Sequence, residues 1–392
     1  MYKELSVSKK NLLGAGPSSV DPKVLKAMST PLVGHLDPEF LVIMNETMDL
    51  LRHVFQTQNK LTMPMSGTGS SGMETVFVNF IEPGDDVIVG INGLFGMRMA
   101  DIANRCGAKV HPIEAEWGRI IDPDQVKEKL DATDAKLVAI VHAETSTGVC
   151  QPLKEISNYC KEKEALLIAD CVTSLGGMPV NIDETGIDIA YSGTQKCLSC
   201  PPGLAPITVN DRALEKLRKR KTPVLSWYFD LSMLQNYWGK ERFYHHTAPI
   251  SMIYALREAL KIVYEEGLES RFKRHQLHSK ALVRGLESMG IEMFAQEGHR
   301  LPMLNAFKIP AGTDDVKLRK YLLEELGIEI SGGLGALKGK IGRIGLMGYS
   351  CDKSNVMAIL SGLELAFMAQ NYCIEGNIGI KAAETVYRQS CC

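Results

Sequence analysis

The run Lys136-Leu137-Val138-Ala139-Ile140-Val141-His142 constrains the fold most. Its five central residues are all apolar, with no alternation between faces. A strand of that kind has to be covered on both sides, as an inner strand of a parallel sheet is. The neighbouring sequence agrees. Asp86-Val87-Ile88-Val89-Gly90, Ala108-Lys109-Val110-His111-Pro112-Ile113, Ala165-Leu166-Leu167-Ile168-Ala169-Asp170 and Ile187-Asp188-Ile189-Ala190-Tyr191 read as further strands. Residues 122–130 and 153–163 read as helices between them. Strand and helix in alternation predict an α/β fold whose large domain holds a mostly parallel, doubly wound sheet.

The pattern changes after about residue 250. Residues 250–266 form a long amphipathic helical pattern stopped by Gly267, and 268–289 continue as helix to Gly290. Strand-like 305–309, a helical pattern over 315–326 and strand-like 328–330 complete a smaller C-terminal α+β domain. A chain of 392 residues is expected to form two domains. The expected division is an arm over 1–16, polar and then turn-rich at Gly14-Ala15-Gly16-Pro17, a large domain over 17–265 and a small domain over 266–392.

A hydrophobic fraction of 45% and a charged fraction of 23% are those of an ordinary globular protein. The net charge is −2, and the densest basic cluster, Lys216-Leu217-Arg218-Lys219-Arg220-Lys221, reads as a solvated helix face rather than an anion-binding patch. No nucleic-acid or membrane partner is expected, because no apolar run reaches transmembrane length. The first residues lack the pattern of a signal peptide, so a cytoplasmic placement with reduced thiols is expected for the ten cysteines. Cys197-Leu-Ser-Cys200 has no second pair at suitable spacing, so no metal site is expected. The terminal Cys391-Cys392 lacks a prenylation pattern and reads as a frayed tail.

Chemistry enters with Asp170, which closes one apolar run, and Lys196, which follows the next in Ser192-Gly193-Thr194-Gln195-Lys196. A lysine amine can form a Schiff base with the aldehyde of pyridoxal 5'-phosphate (PLP). A strand-end aspartate can pair with the protonated ring nitrogen and make the ring an electron sink. Ser66-Gly67-Thr68-Gly69-Ser70-Ser71-Gly72 opens into a helical segment and could cradle a phosphate, or be a flexible surface loop. It lacks the signature of a nucleotide P-loop. Phe95 follows a strand and could stack on a ring or sit in the core. Hydroxyls in His142-Ala-Glu-Thr-Ser-Thr-Gly148 could contact a cofactor or cap a helix. Arg343, in Gly342-Arg343-Ile344-Gly345, suits bidentate capture of a carboxylate, or a surface ion pair.

Together these motifs resemble the alanine–glyoxylate / serine–pyruvate aminotransferases, within the class-V branch of fold-type-I PLP enzymes. The resemblance runs from about Leu13 to Leu365 and rests on Gly14-Ala-Gly-Pro17, Phe55-Gln-Thr57, Ser66-Gly-Thr-Gly69, His142–Gly148, Ser192–Lys196, Pro201-Pro-Gly203, Tyr244-His-His-Thr247, Gly332-Gly-Leu-Gly335 and Arg343-Ile-Gly345. It implies Lys196 as the Schiff-base lysine and Asp170 as the ring partner. Thr68, Gly69 and Ser70, with Gln195, would hold the phosphate, Phe95 would stack and Thr145 would contact the cofactor. Gly16, His35 and Arg343 would face the substrate. Tyr244 and Thr247 would reach the cofactor of the other subunit, which implies a homodimer with shared active sites.

Two departures stand out. Many relatives carry His in place of Ser70 and Trp in place of Phe95. A close cousin, the ureidoglycine–glyoxylate aminotransferase, shares stretches such as Met347-Gly-Tyr-Ser-Cys351. That branch typically has amide side chains in place of His35 and Tyr244. The expectation is therefore an aminotransferase with alanine or serine as donor and glyoxylate or pyruvate as acceptor. Ureidoglycine transamination is the alternative. A non-catalytic subunit that kept the fold is the reading of another class, and retention of both Lys196 and Asp170 argues against it.

Overall fold

The computed structural model describes residues 2–390. Seven strands form the central sheet in the order Leu61–Ser66, Leu204–Val209, Ile189–Tyr191, Leu166–Asp170, Leu137–Val141, Asp86–Ile91, Lys109–Glu114. Only Leu204–Val209 runs against the rest. All five residues of Leu137–Val141 are buried, as an unbroken apolar run on an inner strand requires. The two strands that the sequence pattern does not reveal are Leu61–Ser66 and Leu204–Val209. Each contains a proline, which speaks against a strand. Pro64 and Pro206 stand opposite each other at a pair that exchanges no ladder bonds: Pro206 faces the next strand, where its carbonyl accepts the Ser192 N–H, and Pro64 faces the open edge.

Three helices begin on Asp-Pro. Asp21, Asp37 and Asp122 each accept the N–H two residues on, and Pro22, Pro38 and Pro123 fill the first turn, where no donor is needed. The helix Pro38–Phe55 and the C-terminal helix Ile378–Gln389 join those expected at Ile250–Glu266, Leu268–Ser288 and Asp315–Leu326.

Among the described residues two large apolar cores result, with two smaller clusters beside them. One surrounds the large sheet and includes Phe77, Phe80, Val87, Ile140 and Ile168. The other includes Leu13, Leu282, Phe307, Ile344 and Leu360. It packs on a three-stranded antiparallel sheet of Leu304–Lys308, Ile341–Gly345 and Ser331–Gly332. The expected arm meets the fold at its end: Asn11–Leu12 pairs in parallel with Ile328–Glu329, and Leu13 is fully buried, while residues 2–10 form no regular structure.

The basic cluster is more than a solvated face. Lys216 pairs with Asp85 and Lys219 with Glu215. Arg220 donates to the carbonyls of Asn79 and Ile81, which lie at the end of the helix Gly69–Phe80. Among the described residues no helix is long and apolar enough to cross a membrane. Cys197 and Cys200 are buried free thiols, and Cys391 and Cys392 lie outside the described residues.

One helical turn ties the segment after Lys196 to the second core. Arg271, 3% exposed, donates to the carbonyls of Gly176 and Cys197 and pairs with Glu266. Arg274 donates to the carbonyls of Gly348 and Cys351, and His275 Nε2 accepts the Gly348 N–H. Arg271→Ala takes the donor from the buried Gly176 and Cys197 carbonyls, while Glu266 keeps Arg274. It should lower the unfolding free energy by about 1–3 kcal/mol for each stranded carbonyl, measured by urea titration. A loss within error of zero would show that the clamp is replaceable.

Candidate active site

Parallel strands deliver their following loops to one edge of the sheet. Asp170 ends its strand, and in register it lies between Val141 and Tyr191. Phe95, Thr145 and Lys196 lie a few residues beyond the ends of Asp86–Ile91, Leu137–Val141 and Ile189–Tyr191. The strand order reverses between Asp86–Ile91 and Leu137–Val141, the kind of crevice where open α/β sheets bind ligands.

Asp170 is 2% exposed. Its Oδ1 accepts the Val172 N–H at 2.9 Å and its Oδ2 accepts the Tyr191 hydroxyl at 2.8 Å. Burial pushes the carboxyl up to about 6, against these two bonds, and the nearby Glu144 adds to the rise. Lys196 is also buried. Burial lowers its pKa to about 8, and the positive Arg343 pushes the same way. Its Nζ donates to the Ala15 carbonyl.

The turn that carries Ala15 is stapled on both sides. Ala15 N–H donates to Ser331 Oγ at 2.9 Å, and Ser18 Oγ donates to the Lys196 carbonyl at 2.7 Å. Between them Gly16 has φ +103°, and a Cβ there would lie 2.6 Å from Lys196 Nζ. Only glycine suits both the backbone and the space.

Arg343 sits in the strand Ile341–Gly345, 4% exposed. It donates through Nε to the Gly332 carbonyl at 2.9 Å and through Nη1 to the Thr145 carbonyl at 2.8 Å. Among the described residues no carboxylate lies within ion-pair distance of it, so it is not the surface ion pair weighed above. Burial lowers its pKa to about 10. Thr145 is buried, and its hydroxyl bonds with that of Thr173 at 2.8 Å.

Glu144 is a residue that sequence reasoning passed over. Fully buried, it accepts the N–H groups of Phe95 (3.1 Å), Gly96 (3.4 Å) and Ser146 (3.0 Å) and the Ser146 hydroxyl (2.6 Å). Its carboxylate thus caps the first turn of Leu94–Arg105. Burial raises its pKa against these bonds. No local spacing could have revealed it, because the contact joins segments far apart in the chain. Phe95 itself is half-buried, with the Arg98 guanidinium 5.0 Å from its ring centroid.

A helix start lies beside the same edge. Thr68 is the N-cap of Gly69–Phe80, and its side chain makes no capping bond. Thr68 and Ser70 are exposed, while Gly69 is buried, with Gly193 Cα 3.5 Å from where its Cβ would stand. Gln195 Oε1 is buried without a partner and would lie 2.8 Å from a Cβ on Gly193. Free helix amides and small residues make a cradle that an anion would satisfy, while the orphaned Gln195 Oε1 is an acceptor and calls for a donor.

Tyr244, Thr247 and His35 stand apart from this network. Tyr244 is 61% exposed, its hydroxyl 3.5 Å from that of Thr247, and its ring 5.1 Å from that of His35. The link to the cradle is one bond, His246 Nε2 to Ser66 Oγ at 2.7 Å. A cavity of about 980 Å³ opens elsewhere, between the arm and Tyr349, and holds none of Asp170, Lys196 and Arg343.

A mostly parallel sheet with a buried lysine, a strand-end aspartate and a helix-start cradle at one edge defines the PLP fold-type-I class of α/β protein. Residues 11–351 match the family model for aminotransferase class-V. The chain is 44% identical to an (S)-ureidoglycine–glyoxylate transaminase of Bacillus subtilis, covering 99% of this chain and 98% of that protein. It is 42% identical to an alanine–glyoxylate aminotransferase of Mus musculus, covering 93% and 89%. The crystal structure of a Bacillus subtilis ureidoglycine–glyoxylate aminotransferase superposes with a TM-score of 0.97 at 46% identity, over 98% of this chain and all of that one. An alanine–glyoxylate aminotransferase from Nostoc gives 0.92, also at 46%, over 94% and 97%. The chain belongs to the class-V aminotransferases.

Gly16→Ala tests the tightness of the site. The added methyl should displace Lys196 and lower transaminase turnover on the order of a hundredfold, with a lowered thermal midpoint from the strained backbone, so turnover is compared where both proteins are folded. Turnover near that of wild type would show that Lys196 has room to spare.

Proposed function

We propose that this chain binds PLP through Lys196 and moves an amino group from alanine or serine to glyoxylate or pyruvate. One observation carries the reading: a buried amine, Lys196, and a buried carboxylate, Asp170, share an edge with Arg343, a buried guanidinium that among the described residues touches no carboxylate. The residues fit the cofactor. The N–H groups at Gly69 and Ser70 would satisfy its phosphate, with the Thr68 hydroxyl and the Nε2 end of the Gln195 amide as further donors. Phe95 and Thr145 would border its ring.

When bound, PLP supplies an aldehyde that captures amines and a ring that draws off electrons. The rest falls to the chain. Lys196 is the attachment point. Because burial holds its pKa at about 8, more of it is neutral near pH 7 than of an ordinary lysine, and Nζ can take the proton from the donor's Cα. Asp170 would accept the ring N–H. Arg343 would offer its remaining donors to the substrate carboxylate and so hold the donor's Cα–H within reach of Lys196.

Ureidoglycine as donor is a second reading, favoured by the extent of likeness to the Bacillus subtilis proteins. The tilted ring pair of His35 and Tyr244 speaks for the first. Neither ring reproduces the paired donors and acceptors of an amide, and each unpaired buried ureido group costs about 1–3 kcal/mol. Measured kcat/KM for alanine or serine, with glyoxylate or pyruvate, should exceed that for ureidoglycine by roughly ten- to a hundredfold. A higher value for ureidoglycine would overturn the choice of donor and leave the PLP chemistry standing.

We also read the protein as a homodimer with shared sites. Leu36, Val42, Trp227, Phe243 and Tyr244 leave apolar surface exposed, which a second copy would cover. Tyr244 and Thr247 would then reach the partner's cofactor. A Lys196→Ala chain and a Tyr244→Ala/Thr247→Ala chain should each be defective, and mixing them should restore activity in one site per mixed dimer. No recovery after confirmed subunit exchange would count against sharing.

A further inference from the structure

We infer that Tyr191 is a positioning residue that keeps Asp170 ionised and aimed at the ring nitrogen of the bound cofactor; this rests on the PLP reading above. Tyr191 ends the strand Ile189–Tyr191, is fully buried, and is the direct register partner of Asp170. Its hydroxyl donates to Oδ2 at 2.8 Å, while the Val172 N–H occupies Oδ1 at 2.9 Å. A carboxylate oxygen accepts two bonds, so each oxygen keeps a lone pair for the ring N–H. The two donors fix the plane of the carboxylate, and with it the direction of those lone pairs.

The other groups around Asp170 do not supply this. Glu144, from the loop after the neighbouring strand, disfavours a charged Asp170, and Lys196 favours it. His142 donates its backbone N–H to the Asp170 carbonyl, and its ring is held neutral by burial, with a pKa of about 4. Burial also raises the Cys171 thiol, so it stays neutral. Tyr191 itself is raised well above 10, so its phenol remains a donor across the working range. A donor to a carboxylate favours the ionised form. Asp170 already sits high at about 6, so losing this bond raises it further. A protonated Asp170 would have no full charge to hold the ring nitrogen's proton.

The test uses the full-length protein as wild type, Tyr191→Phe and Asp170→Asn. PLP affinity of each apoprotein is followed across the acid and neutral range through the visible absorbance of the lysine-bound cofactor. Holoenzyme kcat and KM for alanine are measured beside it. Tyr191→Phe should move the acid limb of PLP affinity and of kcat upward by about one to two pH units, the size of one lost bond to a charged group. Its kcat should fall while KM for alanine holds, because Arg343 still binds the carboxylate. Asp170→Asn should lose the limb altogether. Replacing Tyr191 by 3-fluorotyrosine keeps the ring, makes the phenol a better donor, and should move the limb the other way. If Tyr191→Phe fails to fold, the fluorinated protein decides, and an unshifted limb there overturns the inference. Superimposed limbs for wild type and Tyr191→Phe, with Asp170→Asn altered, overturn the role of Tyr191 alone. An Asp170→Asn protein indistinguishable from wild type overturns the PLP reading with it.

Discussion

In-register pairing of Leu137–Val141, Leu166–Asp170 and Ile189–Tyr191 is the constraint on which the site depends. Parallel pairing with burial on both faces forces the strands to end at a common edge. A polar side chain at that edge is then buried beneath the loops that follow. A one-residue slip would turn Asp170 to the other face of the sheet and break its contact with Tyr191. The apolar run that makes Leu137–Val141 an inner strand therefore also settles where the carboxylate stands.

Burial has a second effect, on charge. Asp170, Glu144, Lys196 and Arg343 are all nearly inaccessible, and burial shifts each toward its neutral form. None of them forms a direct ion pair with another. Neutral donors and acceptors hold them instead: the Tyr191 hydroxyl, the Ala15, Gly332 and Thr145 carbonyls, and the amides at Phe95 and Gly96. Charges restrained by dipoles rather than by one another stay open to an incoming anion or cation.

Much of the fold was legible because its elements are local. The helices Ile250–Glu266 and Asp315–Leu326 end at glycines, and the inner strands are unbroken apolar runs. Leu61–Ser66 and Leu204–Val209 were hidden by their prolines, of which Pro64 turns its missing donor to the open edge and Pro206 offers only its carbonyl, to Ser192. The quoted motifs did contain Asp170, Lys196, Thr145 and Arg343, which the fold brings into one network. Glu144, Ser331 and the role of Tyr191 were not legible, because each acts through a contact between distant segments. The segment around Tyr244 was quoted for its chemistry, yet in one chain it lies at the surface, where sequence alone says nothing about what faces it.

Arg343 spans two bodies of the molecule. Its Nε is held by Gly332, beside the second core, and its Nη1 by Thr145, at the edge of the large sheet. A guanidinium is flat and rigid, so it works as a gauge of fixed width. Only one separation of the two layers satisfies both carbonyls at once. Any sliding of one layer on the other would free a buried donor of Arg343, and would strain the Ala15–Ser331 and Ala15–Lys196 bonds as well. If Arg343 takes a carboxylate, as proposed, that affinity would be tied to the alignment of the layers, and the bound acid would act as a wedge that keeps them in step.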